Sequence, residues 1–208
     1  QGPISQFLQG AVVGGGVGAG GELLRSELVE HAYPLIYELH KVDTRLLLYA
    51  LPAVATQLQS EETEARAQAV ALLGRLFASS HAEYGRDYAK NFQEFLGRFK
   101  DCDVSVRTQM LTIGAVLLRK KPGLREEVAR HMALRLQDPD AGCRLTAARE
   151  LLGAAARAPE DVGEAALREV GGRLQDRRPN VRKEVAAGLA RVFAAHVSRR
   201  WAPAWEAS

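Results

Sequence analysis

The feature that most constrains how this chain can fold is a phrase of about forty residues that it repeats four times. Aligned on Arg66, Arg107, Arg144 and Arg182, the copies are spaced 41, 37 and 38 residues apart. Six residues before the arginines stand Ser60, Asp101, Asp138 and Asp176, and two residues earlier again Leu58, Phe99, Leu136 and Leu174. Three residues after the arginines come Ala69, Met110, Ala147 and Val185. Seven after come Leu73, Gly114, Leu151 and Leu189, and ten after come Leu76, Leu117, Ala154 and Val192. Offsets of three, seven and ten lie along one stripe of a 3.6-residue helix, so each arginine sits in the first turn of a helix whose apolar face turns inward.

The start of that helix is marked independently in three copies. Asp103 and Asp140, each four residues before its arginine, suit the N-cap, and Pro179 suits a first helical position, where a missing N–H costs nothing. Upstream of each turn lies a second apolar-periodic stretch, at Leu46–Leu58, Phe92–Phe99, Val128–Leu136 and Leu167–Leu174, so each copy reads as a helical hairpin. One such hairpin cannot bury both its faces, and the copies must stack on one another around a continuous core. The expected fold is therefore all-α, an α-solenoid wound as a right-handed superhelix. Its Leu-x-Asp-x5-Arg phrase at this period is the HEAT-repeat pattern, in which aspartates and arginines of successive repeats form a ladder along the turns. The ladder residues are Asp101, Arg107, Asp138, Arg144, Asp176 and Arg182. Ser60 stands where the first copy lacks an aspartate, and the expectation is that Arg66 loses its partner there.

The expected organisation is a short helix and Gly-rich flexible loop at 1–21, a partial repeat at 22–43, and repeats at 44–80, 88–120, 123–157 and 161–197, followed by a tail at 198–208. Glu27–His40 reads as a helix interrupted by Pro34. The run Gly16-Val-Gly-Ala-Gly-Gly21 matches a dinucleotide fingerprint only formally, because no strand precedes it, and it reads as a loop. The chain opens on Gln1 and ends abruptly after Trp205, and it reads as a piece of a longer protein.

Composition agrees with helices: 47% of residues are hydrophobic but only 6% aromatic, so the core must be built mainly from Ala, Leu and Val. The best apolar run, Leu46–Ala55, falls well short of the ~18 residues of a membrane span and is broken by Pro52. Cys102 and Cys143 lie 41 residues apart without a CxxC or CxxH partner, which argues against a disulfide framework or a zinc site and for a reducing compartment. The five histidines are dispersed, with no nucleophile and base at catalytic spacing, and neither enzyme nor cofactor is expected. Charge is uneven: residues 1–104 carry 9 Lys+Arg against 13 Asp+Glu, and residues 105–208 carry 19 against 12. The second half, at +7, suits an acidic or polyanionic partner. Its candidate contact residues are Arg119, Lys120 and Lys121 at a helix C-terminus and Arg177, Arg178 and Lys183 around a turn. Direct binding of nucleic acid lacks both a long phosphate-tracking stripe and interleaved aromatic side chains.

The wording of the repeats carries a resemblance. His31-Ala-Tyr-Pro-Leu-Ile-Tyr-Glu-Leu39, Leu46-Leu-Leu48 with Pro52, Phe95-Leu-Gly-Arg-Phe99 with Asp103-Val-Ser-Val-Arg107, Gln137-Asp-Pro139, and Val181-Arg-Lys-Glu-Val-Ala-Ala-Gly-Leu189 resemble the precocious dissociation of sisters family, from about Glu22 to Val197. The resemblance implies a nuclear, chromatin-associated, non-enzymatic HEAT-repeat scaffold. Its implied partners are the kleisin subunit of cohesin and the cohesin release and acetylation factors, and its implied role is control of sister chromatid cohesion. The Gly-rich loop, the excess of 22 Arg over 6 Lys and the sequence after Arg200 depart from that family's pattern. Against this stand a generic HEAT adaptor for another assembly and direct capture of a polyanion by the basic turn.

Overall fold

The computed structural model describes residues 32–205 together with Gly10, and side chains as far as residue 197. The Gly-rich fingerprint at 16–21 and the short segment at 4–8 lie outside the described residues. The described helices are α1 (Ala32–Val42), α2 (Leu47–Gln57), α3 (Thr63–Phe77), α4 (Tyr84–Asp87), α5 (Ala89–Gly97), α6 (Val104–Lys120), α7 (Arg125–Leu134), α8 (Ala141–Arg157), α9 (Glu164–Gly172) and α10 (Pro179–Trp205). No strand occurs among the described residues. Short 3-10 turns at Arg98–Lys100, Arg135–Gln137 and Arg173–Gln175 end the first helix of a hairpin and lead into the turn. The chain divides into two compact units, residues 1–98 and 99–208.

In the first unit α3 packs against α1, α2 and α5. The sparse aromatic content is concentrated here: the rings of Phe77, Phe92 and Phe95 are all fully buried, with centroids 5.0 Å apart for Phe77–Phe92 and 5.3 Å for Phe77–Phe95. Their near-perpendicular pairing places positive ring edges against negative faces. α1 is described from Ala32, two residues before Pro34, to Val42, and the part of the expected Glu27–His40 helix before residue 32 lies outside the described residues. Near the end of α1 the fully buried His40 donates from Nδ1 to the Tyr37 carbonyl, with Nε2 3.4 Å from the Ser79 hydroxyl and the rings of His81 and Tyr84 against it. Burial holds the His40 imidazole below the ordinary histidine range.

In the second unit the second helices of three hairpins stack in order, α6 on α8 and α8 on α10, with α7 and α9 forming the other layer. Ala147, Ala148, Ala154 and Ala155 of α8 are all buried, and these short side chains let its neighbours approach closely. Gly114, at a position filled by leucine in the other copies, makes room for large neighbours: a Cβ there would lie 2.7 Å from Met132 Sδ and 3.2 Å from Phe99. A leucine at Gly114 would overpack the core and cost about 1–3 kcal/mol. Among the described residues no later element packs on the far side of α10. Leu174 and Phe193 are 45% and 70% exposed, whereas Leu136 and Ala155, their equivalents one repeat earlier, are fully buried. α10 continues to Trp205 and so takes in residues 198–205 of the expected tail. Residues 198–202 include no glycine or turn-forming pair that would stop it.

His131 on α7 stacks on Phe99 with centroids 5.8 Å apart, and its buried Nδ1 has no hydrogen-bond partner. Burial, aided by the nearby Arg130 charge, lowers its affinity for a proton. An unfolded histidine takes up a proton near pH 6.5, the folded one only at lower pH, so the contribution to stability is full above about 6.5 and is lost as pH falls. The melting temperature should therefore fall between pH 7.5 and 5.5, and His131→Phe should flatten that slope. An identical slope in wild type and variant would contradict the assignment.

Candidate partner-binding surface

The turn of each hairpin is built the same way, from its aspartate or, in the first, from Ser60. Asp138 and Asp176 leave the 3-10 turn in an extended conformation (φ −58°, ψ 141° and φ −60°, ψ 146°). Oδ1 of Asp138 then accepts the N–H of Asp140 at 3.0 Å, and that of Asp176 the N–H of Arg178 at 2.9 Å. Asp101 does the same with Asp103 at 2.9 Å, and Ser60 Oγ accepts from Glu62 at 3.2 Å. These are side-chain-closed turns of the kind aspartate and serine favour. Two further carboxylates cap the helices that follow: Asp103 accepts from Ser105 N at 2.7 Å and Asp140 from Cys143 N at 2.8 Å.

Each repeated arginine folds back over its own turn. Nη1 of Arg66 donates to the carbonyls of Ser60 and Glu61, both at 2.9 Å. Arg107 donates likewise to Asp101 and Cys102 at 2.9 and 3.0 Å, and Arg144 to Asp138 and Pro139 at 2.9 and 3.1 Å. Arg182 repeats the arrangement with Asp176 and Arg177, at 2.7 and 3.2 Å. The other edge of the guanidinium reaches the next repeat. Arg107 Nε and Nη2 each stand 2.8 Å from the Asp138 carboxylate, and Arg144 meets Asp176 at 2.8 and 3.0 Å. The pairing thus runs from an arginine to the aspartate of the following copy. Ser60 therefore does not strip Arg66 of its partner, contrary to expectation, because the position before an arginine supplies it with carbonyls rather than a carboxylate.

These groups are buried: Arg107 and Arg144 are 6% and 5% exposed, Asp138 and Asp176 2% and 5%. Hydrogen bonds from Arg144 outweigh desolvation and lower the Asp176 carboxyl to about 2. Burial pushes Asp138 up, but donors from Arg107 and the Asp140 N–H hold it below the ordinary range. Asp176 stabilises the fold fully above about pH 4 and loses that contribution as pH falls toward 2, and Asp138, also held below its ordinary range, loses its contribution as pH falls through its own lowered pKa. Cys143 lies beside this pair, and burial together with the Asp138 charge pushes its thiol up to about 12, so it is a packed side chain and not a nucleophile.

A second set of arginines belongs to the ladder and lies outside the phrase as aligned above. Arg135 lies 3.1 Å from Asp138, and Arg173 lies 3.8 Å from Asp176 while donating to the Leu136 carbonyl at 3.3 Å. Both stand three residues before the aspartate, at the same 38-residue spacing as the main phrase, so extending the alignment three residues upstream would have found them.

The proposed contact cations fall into two groups that the fold keeps apart. Arg177, Arg178 and Lys183 are exposed around the turn before α10. Pro139, Asp140, Arg144, Arg177 and Arg178 line a concavity of about 430 Å³ there. Arg119 and Lys120 are exposed in the last turn of α6, at the end of a 17-residue helix that begins in the turn layer, about 25 Å away along its axis. Lys121 is not available to a partner as expected. It is 3% exposed, because α6 ends there and the chain tucks into the Pro122–Leu124 turn, the Lys121 carbonyl accepting from Leu124 N at 3.0 Å.

Truncating Arg144 to alanine would leave Asp176 as a buried charge without its fork, at a cost of about 3–5 kcal/mol. Arg182 is exposed and no carboxylate among the described residues meets it, so Arg182→Ala should cost no more than about 1 kcal/mol. Urea unfolding of the two variants checks this, and equal costs would contradict the ladder.

Comparison with known proteins places this geometry in a lineage. The family model described as sister chromatid cohesion protein PDS5 matches residues 1–203. The chain is similar to human sister chromatid cohesion protein PDS5 homolog B, with 32% identity over 81% of this chain and 12% of that protein. It is similar also to human PDS5 homolog A, with 33% identity over 81% of this chain and 13% of that protein. The chain thus spans about an eighth of the length of these relatives. Among solved structures it resembles a chain of the Pds5–Scc1 complex, with a TM-score of 0.79 and 14% identity over 94% of this chain and 30% of that one. That likeness carries the fold, an α-solenoid of HEAT-type hairpins. With a family model covering nearly its whole length, the chain belongs to the PDS5 family of sister chromatid cohesion proteins.

Proposed function

We propose that this chain is a non-enzymatic scaffold segment of a cohesin regulator. In this reading it holds the kleisin subunit of cohesin, together with cohesin release and acetylation factors, and so controls sister chromatid cohesion on chromatin in the nucleus. The observation that carries the reading is membership of the PDS5 family, supported by a fold shared with a chain of the Pds5–Scc1 complex. The ladder supplies what a scaffold needs: in the second unit it locks successive turns by charged forks, so that groups on the turn layer hold fixed spacing. The Arg177, Arg178 and Lys183 side chains have no carboxylate partner among the described residues and are free to meet an acidic stretch of the kleisin. Arg119 and Lys120, on the opposite edge, would engage a separate segment.

A second reading, direct capture of a polyanion at the same turn, is favoured by the concavity bordered by Arg144, Arg177 and Arg178. Binding of the chain to peptides tiled across the kleisin, at two salt concentrations, separates the two. The scaffold reading expects one or a few tiles to bind, more weakly at high salt, and Arg178→Glu with Lys183→Glu to weaken them further. Binding of a phosphate-rich polyanion with no tile bound would favour the second reading, and no binding of either would remove this turn from the partner surface.

A further inference from the structure

The first-helix layer of the second unit carries a groove of about 830 Å³ between α7 and α9, away from the basic turn. Its base is made of short side chains, Ala129, Ala133, Val162 and Ala166, and Leu134 stands at its edge 47% exposed. Short residues on two facing helices leave space that a bulky apolar side chain would fill, and the volume lies within the ~300–1,000 Å³ of built binding sites. Exposed Leu134 adds apolar surface at the mouth.

The rim has the opposite sign to the rest of this half of the chain. Glu126, Glu160 and Glu169 border the groove, exposed, and no cation among the described residues pairs with them. Two cations, Arg125 and Arg130, also line the groove, and each has a carboxylate beside it. Arg125 donates from Nε to the Leu118 carbonyl at 2.7 Å and pairs through Nη1 with Asp161 at 2.8 Å. Arg130 lies 3.7 Å from Glu127, and Arg168 holds Glu164. An acidic rim over an apolar floor, set in a chain half of net charge +7, selects a cationic and apolar occupant rather than repelling water at random. The helix α7 is about 15 Å long, the span of four or five extended residues at roughly 3.3 Å each.

We propose that this groove docks a short basic peptide segment of a partner protein, with a bulky apolar side chain seated on Ala129, Ala133 and Ala166 and flanking lysines or arginines on Glu126, Glu160 and Glu169. The site is distinct from the cationic turn, and the two together would let one scaffold hold segments of opposite charge.

The test uses a panel of ten-residue peptides in which lysine or arginine flanks one central leucine, phenylalanine or tryptophan, with glutamate-substituted peptides and spermine as controls. Anisotropy titration should show saturable binding of the basic peptides, and methyl NMR should place it at Ala129, Ala133, Leu134 and Ala166. Glu126→Lys with Glu160→Lys and Glu169→Lys, all at exposed positions, should weaken binding at least about tenfold with helicity unchanged. Ala133→Trp, which fills the groove, should do the same. The proposal is overturned if no panel peptide binds, if affinity is unchanged in these variants, if the methyl shifts fall elsewhere, or if spermine or alanine-centred peptides bind equally well. Kleisin tiles binding at the basic turn would bear on the scaffold reading alone, so the two proposals fail separately.

Discussion

The second unit depends on one interaction, the fork by which a buried arginine holds the carbonyls of its own turn with one nitrogen and the carboxylate of the next turn with the other two. Arg107 and Arg144 make it with Asp138 and Asp176, each in a setting of 6% exposure or less. A guanidinium is suited to this because its donors are fixed in a plane and match both a carboxylate and a pair of carbonyls. The carboxylate is in turn committed, one oxygen closing the Asx turn on the residue two positions ahead. Every link therefore sets the rotation of one hairpin on the next, which apolar packing among alanines and leucines would leave loosely specified. The desolvation cost of such a pair is large, and its value lies as much in register as in stability.

Much of this was legible in the sequence because a repeat samples the same constraint four times. The helices, their caps at Asp103 and Asp140 and the inward stripes follow from period and offset alone. The direction of the pairing does not, since Asp138 lies six residues from Arg144 and 31 from Arg107, and spacing within one copy suggests the nearer partner. The nearer aspartate offers its carbonyl instead, because its carboxylate is taken up by an N–H of its own turn and by the arginine of the preceding copy. Arg135 and Arg173 were hidden by an alignment stopped at the apolar residue before the aspartate. The burial of Lys121 depends on where α6 ends against Pro122, which no periodic signal encodes. The α7–α9 groove was likewise invisible, because alanines on two helices read as core filler until the helices are seen to stand apart.

The proposed partner surfaces follow from the same frame. Within the second unit, turns and helix ends face opposite edges, so cations that look like one basic half in the composition become two separate groups, with an acidic, apolar groove on the first-helix layer. A protein that holds several partners at once needs such separation, with charge signs that discourage each partner from the others' seats. Membership of the PDS5 family gives these surfaces a biological setting without assigning any of their residues.

A double-mutant cycle on Arg144 and Asp176, read by urea unfolding at pH 7 and low salt, tests the central claim most directly. If the fork couples successive repeats, removing both side chains will cost less than the sum of the single losses, by about 0.5–3 kcal/mol. Strictly additive losses would mean that the two side chains stabilise their own turns independently and that the ladder does not join the repeats.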